Sequence, residues 1–236
     1  MAAILIVICL VPPVGSYARR YVLAESLQFV LFAVAAPALL VLGAPWRALR
    51  LTGALRRAGG FWHRGSFGRS ATVLVAFIAA VIAWRLPVTV DALARQPGLA
   101  VLEMVTLVGV GAALWLELVE SPPLLPRLSR PQRALFAAMA MWAIWIVAYI
   151  LGFSQVAWYT AYPHPGLSTA ADQQIATGIM WAVPALCFVP VVYVTALTWL
   201  RDTEDPDEGL RELAAAERPE RGRWPRPPRG WGNRPT

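Results

Sequence analysis

Residues 133–153 read RALFAAMAMWAIWIVAYILGF: after Arg133, twenty consecutive positions carry no acid, arginine, lysine or histidine. A helix of that length rises about 30 Å, the thickness of the hydrocarbon core of a bilayer, and it satisfies its own backbone polar groups there. Residues 22–42, 70–86 (or as far as 93), 98–119 and 174–200 read the same way. Together they predict an all-α, polytopic membrane helical bundle. The composition agrees, since 58% hydrophobic and only 15% charged residues lie outside the soluble range.

A sixth apolar stretch, 2–14, is short. It reads as a first helix that begins inside its own apolar run, bringing the bundle to about six transmembrane helices. Ser16-Tyr17-Ala18 resembles a signal-peptidase site, so a cleaved leader is the alternative. The connections at 43–69 and 120–133 carry nine arginines: Arg47, Arg50, Arg56, Arg57, Arg64, Arg69, Arg127, Arg130 and Arg133. The alternate connections carry three, Arg19, Arg20 and Arg95, so the arginine-rich loops are expected in the cytoplasm, with both termini there too.

The net charge of +7 follows from this sorting and does not point to nucleic acid. Residues 1–200 form the predicted bundle. Residues 201–236 hold 8 of the 14 acids and 8 of the 21 basic residues and are expected to be a cytoplasmic tail. In that tail a short polar helix at 206–217 precedes an Arg/Trp/Pro run too poor in apolar residues to fold. No internal repeat supports an inverted-repeat transporter. Cys9 and Cys187 both lie in apolar runs and suggest buried small hydrophobes.

Ionisable residues within spans are costly and point to function. Glu25 and Gln28 share a helical face on the second of the six expected spans. Arg85 sits toward the outer end of the third, Glu103 lies early in the fourth, and Asp172, Gln173 and Gln174 open the sixth. These seven form an expected polar cluster in the outer leaflet, with a solvated rim as the plain reading for Asp172 and Asp91. Glu117 and Glu120, at the inner end, are expected to pair with loop arginines. Trp158, Tyr159, Tyr162 and His164, in the connection 154–173, suit interfacial anchoring.

Metal chemistry has few candidates. His63 and His164 are the only histidines, one expected on each side, so a two-histidine haem within the bilayer is excluded. Met104, Met180 and His164 are the remaining candidates for Cu(I). No nucleophile with a base, phosphate-binding glycine loop or catalytic carboxylate pair occurs, so no enzyme is expected.

Residues 28–45, with AAPALLVLGAP at 35–45, resemble the A-P-P-L-L-x-L-G-x-P run of the CtaG-type cytochrome c oxidase assembly proteins; Pro37, Gly43 and Pro45 carry the match. Trp84-Arg85-Leu86-Pro87 with Asp91-Ala92-Leu93, then Glu103, then ADQQIATGIMW at 171–181 with Gly178, Met180 and Trp181, follow in family order. The resemblance implies a multispan bacterial plasma-membrane protein, usually of seven helices, that helps form the copper centre of a haem–copper oxidase; its partners would be oxidase subunits and the lipid bilayer. Loss of the first family helix would account for six spans.

The family pattern places histidine at the positions of Glu25, Phe29, Arg85, Ala100 and Met104, and none is histidine here. The resemblance therefore carries over the scaffold and not the copper site. Glu25 and Arg85, of opposite charge at matched depth, suggest an interhelical ion pair in place of a metal crosslink. The expected function is a non-enzymatic assembly or accessory factor. The alternatives are a small transporter or channel lined by Glu25, Arg85 and Glu103, and a Cu(I) carrier.

Overall fold

In the computed structural model of the protein, residues 2–11, 14–48, 67–122, 124–154 and 156–204 are described. The apolar runs form α1 (Ala2–Leu10), α2 (Val14–Tyr17), α3 (Val22–Val30), a π-helical segment (Leu31–Ala35), α4 (Ala36–Gly43), α5 (Pro45–Ala48), α6 (Phe67–Arg85), α7 (Pro87–Arg95), α8 (Leu99–Leu118), α9 (Arg130–Phe153) and α10 (Thr169–Glu204). No strand occurs among the described residues. The chain is a helical multi-pass membrane protein.

Five helices are long and apolar enough to cross a bilayer: Val22–Gly43, Phe67–Arg85, Leu99–Leu118, Arg130–Phe153 and Thr169–Arg201. The sixth expected span is not one continuous helix of that kind. α1 has nine residues, a rise of about 14 Å, or roughly half the hydrocarbon core. Pro12 and Pro13 follow it in the sequence, and prolines remove the donors that would extend its hydrogen-bond ladder. α1 packs along α4 and the π-helical segment, so it accompanies the first long span.

That first span is the core of the bundle: 61% of its most apolar window is buried, against 22–39% for the other four. Within it the Ala36 N–H bonds the Leu31 carbonyl, five residues back, immediately before Pro37. α8 crosses here in close contact. A Cβ on Gly111 would lie 2.5 Å from the Ala33 carbonyl oxygen and 2.7 Å from Pro37 Cγ, so only glycine permits this approach. The family-motif Pro37 thus marks a packing surface. Gly43 and Pro45 flank Ala44, which adopts the left-handed conformation (φ 41°) and turns the chain into α5.

Two boundaries differ from the apolar pattern. α6 stops at Arg85 because Pro87 forces Leu86 into extended backbone (ψ 139°), and α7 starts on Pro87 as a separate helix. α10 begins at Thr169, five residues before the apolar run, so Asp172 stands in its first turn. At the other end, Ser129 and Gln132 form a capping box that starts α9.

Met1–Leu197 forms one compact unit and Thr198–Thr236 a second. In the second, the described residues are the last turns of α10, to Glu204. The tail structure expected beyond residue 205, most of the 43–69 loop and His63 lie outside the described residues.

Candidate functional site

The break at Leu86-Pro87 leaves Arg85 as the last residue of α6, with its side chain turned into the bundle and 1% exposed. Its guanidinium meets two other helices and the connection that follows α9. Nη2 donates to Glu25 Oε1 on α3 in a buried ion pair. Nη1 donates to Ser26 Oγ at 2.9 Å and points to Met180 Sδ on α10 at 3.7 Å. The cation lies over the Phe29 ring, 4.3 Å from its centroid, and 5.9 Å from the Tyr159 centroid. One arginine therefore ties α3, α6 and α10 together.

Glu103 on α8 is 2% exposed and senses the charges of both Glu25 and Arg85, yet it forms an ion pair with neither. Its Oε1 has no partner among the described residues; Glu25 Oε2 and Arg85 Nε share that condition. Gln28, also buried, joins Glu103 in the wall of a cavity of about 170 Å3. The seven expected cluster residues thus divide. Glu25 and Arg85 touch, Glu103 and Gln28 line a cavity beside them, Asp172 and Gln173 serve other contacts, and Gln174 is exposed.

Asp172 is not part of a solvated rim, because it is fully buried. Its two oxygens accept the Val22 and Leu23 N–H groups at 2.8 Å each, capping α3 from another helix where Tyr21 supplies no side-chain cap. His164 Nδ1 lies 2.5 Å from the same carboxylate. Asp91 is likewise engaged: it accepts from Thr160 N at 3.0 Å, Thr160 Oγ1 at 2.9 Å and Ala161 N at 3.1 Å.

These bonds draw residues 156–168 over the Arg85 end. Tyr159 and Tyr162 are 1% and 4% exposed and so are not interfacial anchors. Tyr159 donates to the Arg85 carbonyl and Tyr162 to the Val90 carbonyl, each at 3.2 Å. Burial pushes the Tyr159 hydroxyl up to about 12 and raises that of Tyr162 as well, so both remain donors into the alkaline range. Gln173 fastens the same segment, accepting from Trp158 N at 3.2 Å and donating to the Leu151 carbonyl at 2.7 Å. Ser26 and Tyr159 were not legible as site residues. A serine inside an apolar run and a tyrosine beside a tryptophan carry no spacing signal.

A family model for the cytochrome c oxidase caa3 assembly factor (Caa3_CtaG) matches residues 1–202. The chain belongs to this family. No curated protein and no solved structure matches it. The family role is assembly of cytochrome c oxidase, and the membrane helices fit that role.

Glu25, Phe29 and Arg85, three of the positions where the resemblance leads one to expect histidine, close on one another. The residues present do not fit a copper ion. A fixed guanidinium at the centre repels a cation, and Met180 Sδ faces that guanidinium. His164 is held by Asp172, and Met104 is half-buried on α8. Among the described residues no three His, Cys, Asp or Glu side chains converge. Of the remaining motif residues, Trp181 stacks on Trp145 at 4.7 Å, and a Cβ on Gly178 would meet nothing within 4 Å.

Proposed function

We propose that this chain is a non-enzymatic accessory factor of cytochrome c oxidase biogenesis in a bacterial plasma membrane, one that binds oxidase subunits within the bilayer and carries no copper itself. The arginine-rich connections face the cytoplasm and the Arg85 end faces outward. The observation that supports this reading is the Glu25–Arg85–Phe29 contact: positions where the resemblance leads one to expect imidazoles are joined here by an ion pair and a cation–π contact. The helices keep their crosslink while the soft, neutral donors that copper needs are gone.

A transporter reading is less well supported. Between the polar groups at the two ends, the buried side chains are apolar, among them Phe32, Phe77, Leu107 and Ile144, each 0% exposed. The test has two parts. The purified protein, after incubation with Cu(I), is expected to retain well under one equivalent of copper, and Met104→Leu to leave assembly unchanged; stoichiometric copper lost in Met104→Leu would promote the carrier reading. Affinity purification from membranes is expected to bring oxidase subunits with the protein, while a deletion strain shows reduced oxidase activity. Normal oxidase in that strain would overturn the proposal.

A further inference from the structure

The cavity beside Glu103 lies among α1, α2, α3, α7 and α8, toward the Arg85 end of the spanning helices. Glu103 is four residues inside the start of α8 at Leu99, about 6 Å below that helix end. Arg19, exposed and three residues before α3, lines the same cavity. Two opposite charges therefore border one space of about 170 Å3 without pairing with each other. Glu103 is 2% exposed, and its Oε1 has no partner among the described residues. Ala100 lines the cavity one turn above Glu103, and its small side chain leaves the space open. Leu10 and Leu93 supply apolar walls.

A buried carboxylate left without a partner is costly, and the local guanidinium is already engaged by Glu25. A ligand that suits this space carries an ammonium to reach Glu103 and an anion to remain at Arg19, the two joined by a short linker. We infer that the cavity binds a zwitterionic phosphoethanolamine group, with its ammonium on Glu103 and its phosphate on Arg19. At this depth the natural source is the headgroup of an aminophospholipid. A quaternary ammonium is a poor substitute, because it has no N–H to donate to the carboxylate and is bulkier. This inference does not depend on the role in oxidase assembly.

The test uses the full-length protein in detergent, incubated with equal amounts of diacyl phosphatidylethanolamine, phosphatidylcholine and phosphatidylglycerol. Bound lipid is quantified by mass spectrometry after gel filtration. Retention of phosphatidylethanolamine is expected to exceed that of either other lipid on the order of tenfold, the scale of one charge-assisted hydrogen bond. Glu103→Gln is expected to abolish the preference. Arg19→Gln alters only an exposed residue, and Ala100→Leu fills the cavity without changing a charge; each is expected to reduce retention several-fold, so the test does not rest on one buried variant. Free O-phosphoethanolamine then separates the sources. Displacement of the lipid supports a site satisfied by the soluble group, and failure to displace it supports a site that also needs acyl chains. Equal retention of phosphatidylethanolamine and phosphatidylcholine, or retention unchanged in both Arg19→Gln and Ala100→Leu, overturns the inference.

Discussion

The two ends of the bundle each bury a carboxylate against an arginine, and they do so differently. At one end Arg85 belongs to a membrane span, and both partners of its pair with Glu25 are sealed, with side chains 1% and 4% exposed. At the other end Arg127 comes from a connection between spans and approaches Glu117 at 3.4 Å, while Ser70 Oγ donates to the same carboxylate at 3.1 Å. Glu120 and Arg133, 3.1 Å apart, form a more exposed pair nearby. The Arg127–Glu117 pair is sealed as well, with side chains 6% and 0% exposed, but Glu117 keeps Ser70 as a second, neutral donor. Arg85 also reaches Ser26 on α3 and Met180 on α10 from α6, so its loss releases contacts among three helices.

The largest expected effect follows directly. Arg85→Ala strands Glu25 in an apolar setting and should destabilise the protein by about 3–5 kcal/mol, measured by reversible unfolding in detergent. Combining it with Glu25→Ala should recover part of the loss, with a coupling of roughly 0.5–3 kcal/mol in a double-mutant cycle. Additive effects would mean that the pair carries no mutual energy. Arg127→Ala is expected to cost less, about 1–2 kcal/mol, because Ser70 still donates to Glu117 and the Arg127 contact, at 3.4 Å, is long for a hydrogen bond. If Arg127→Ala equals Arg85→Ala, the contrast between the ends fails.

Much of this contrast was legible in the chain. Apolar runs located the five long helices, and opposite charges at matched depth anticipated the Glu25–Arg85 pair, because both signals are local and periodic. What escaped depends on distant partners. Asp172 caps α3 across 150 positions of sequence, and no local pattern distinguishes such a cap from a solvated rim. The segment over the site escaped for the same reason: Tyr159 and Tyr162 have an interfacial composition, and only the carbonyls of Arg85 and Val90 draw them inward. The short α1 shows a further limit, since hydropathy alone does not register that a proline pair ends a helix.

That covering segment provides a smaller test. Tyr159→Phe removes one hydrogen bond to the Arg85 carbonyl and should cost about 1 kcal/mol at neutral pH. The pH dependence has a definite sign. Burial raises the hydroxyl from its ordinary value near 10 to about 12, so its contribution is intact below the ordinary value and is lost as pH rises through that window. Unfolding curves of the Phe variant should accordingly fall less between those values than those of the parent. Identical alkaline slopes would show that the hydroxyl is not sealed.

The smallest effect, and the one whose sign matters most, belongs to Glu103. Glu25 and Glu103 are both buried acids near one guanidinium, but only Glu25 touches it. Neutralising Glu25 removes an attractive pair, whereas neutralising Glu103 removes a carboxylate that lacks a protein partner and repels Glu25. In detergent free of aminophospholipid, Glu25→Gln should destabilise, while Glu103→Gln should be neutral or stabilising by about 0.5–1 kcal/mol, since an amide is less costly to bury than an unpaired charge. Added phosphatidylethanolamine should make Glu103→Gln less stable than the parent, because the parent then has an ammonium to hold and the variant does not. If Glu103→Gln destabilises the lipid-free protein as much as Glu25→Gln does, Glu103 shares Arg85 equally. The Arg85 end would then be a balanced three-residue network with no spare charge.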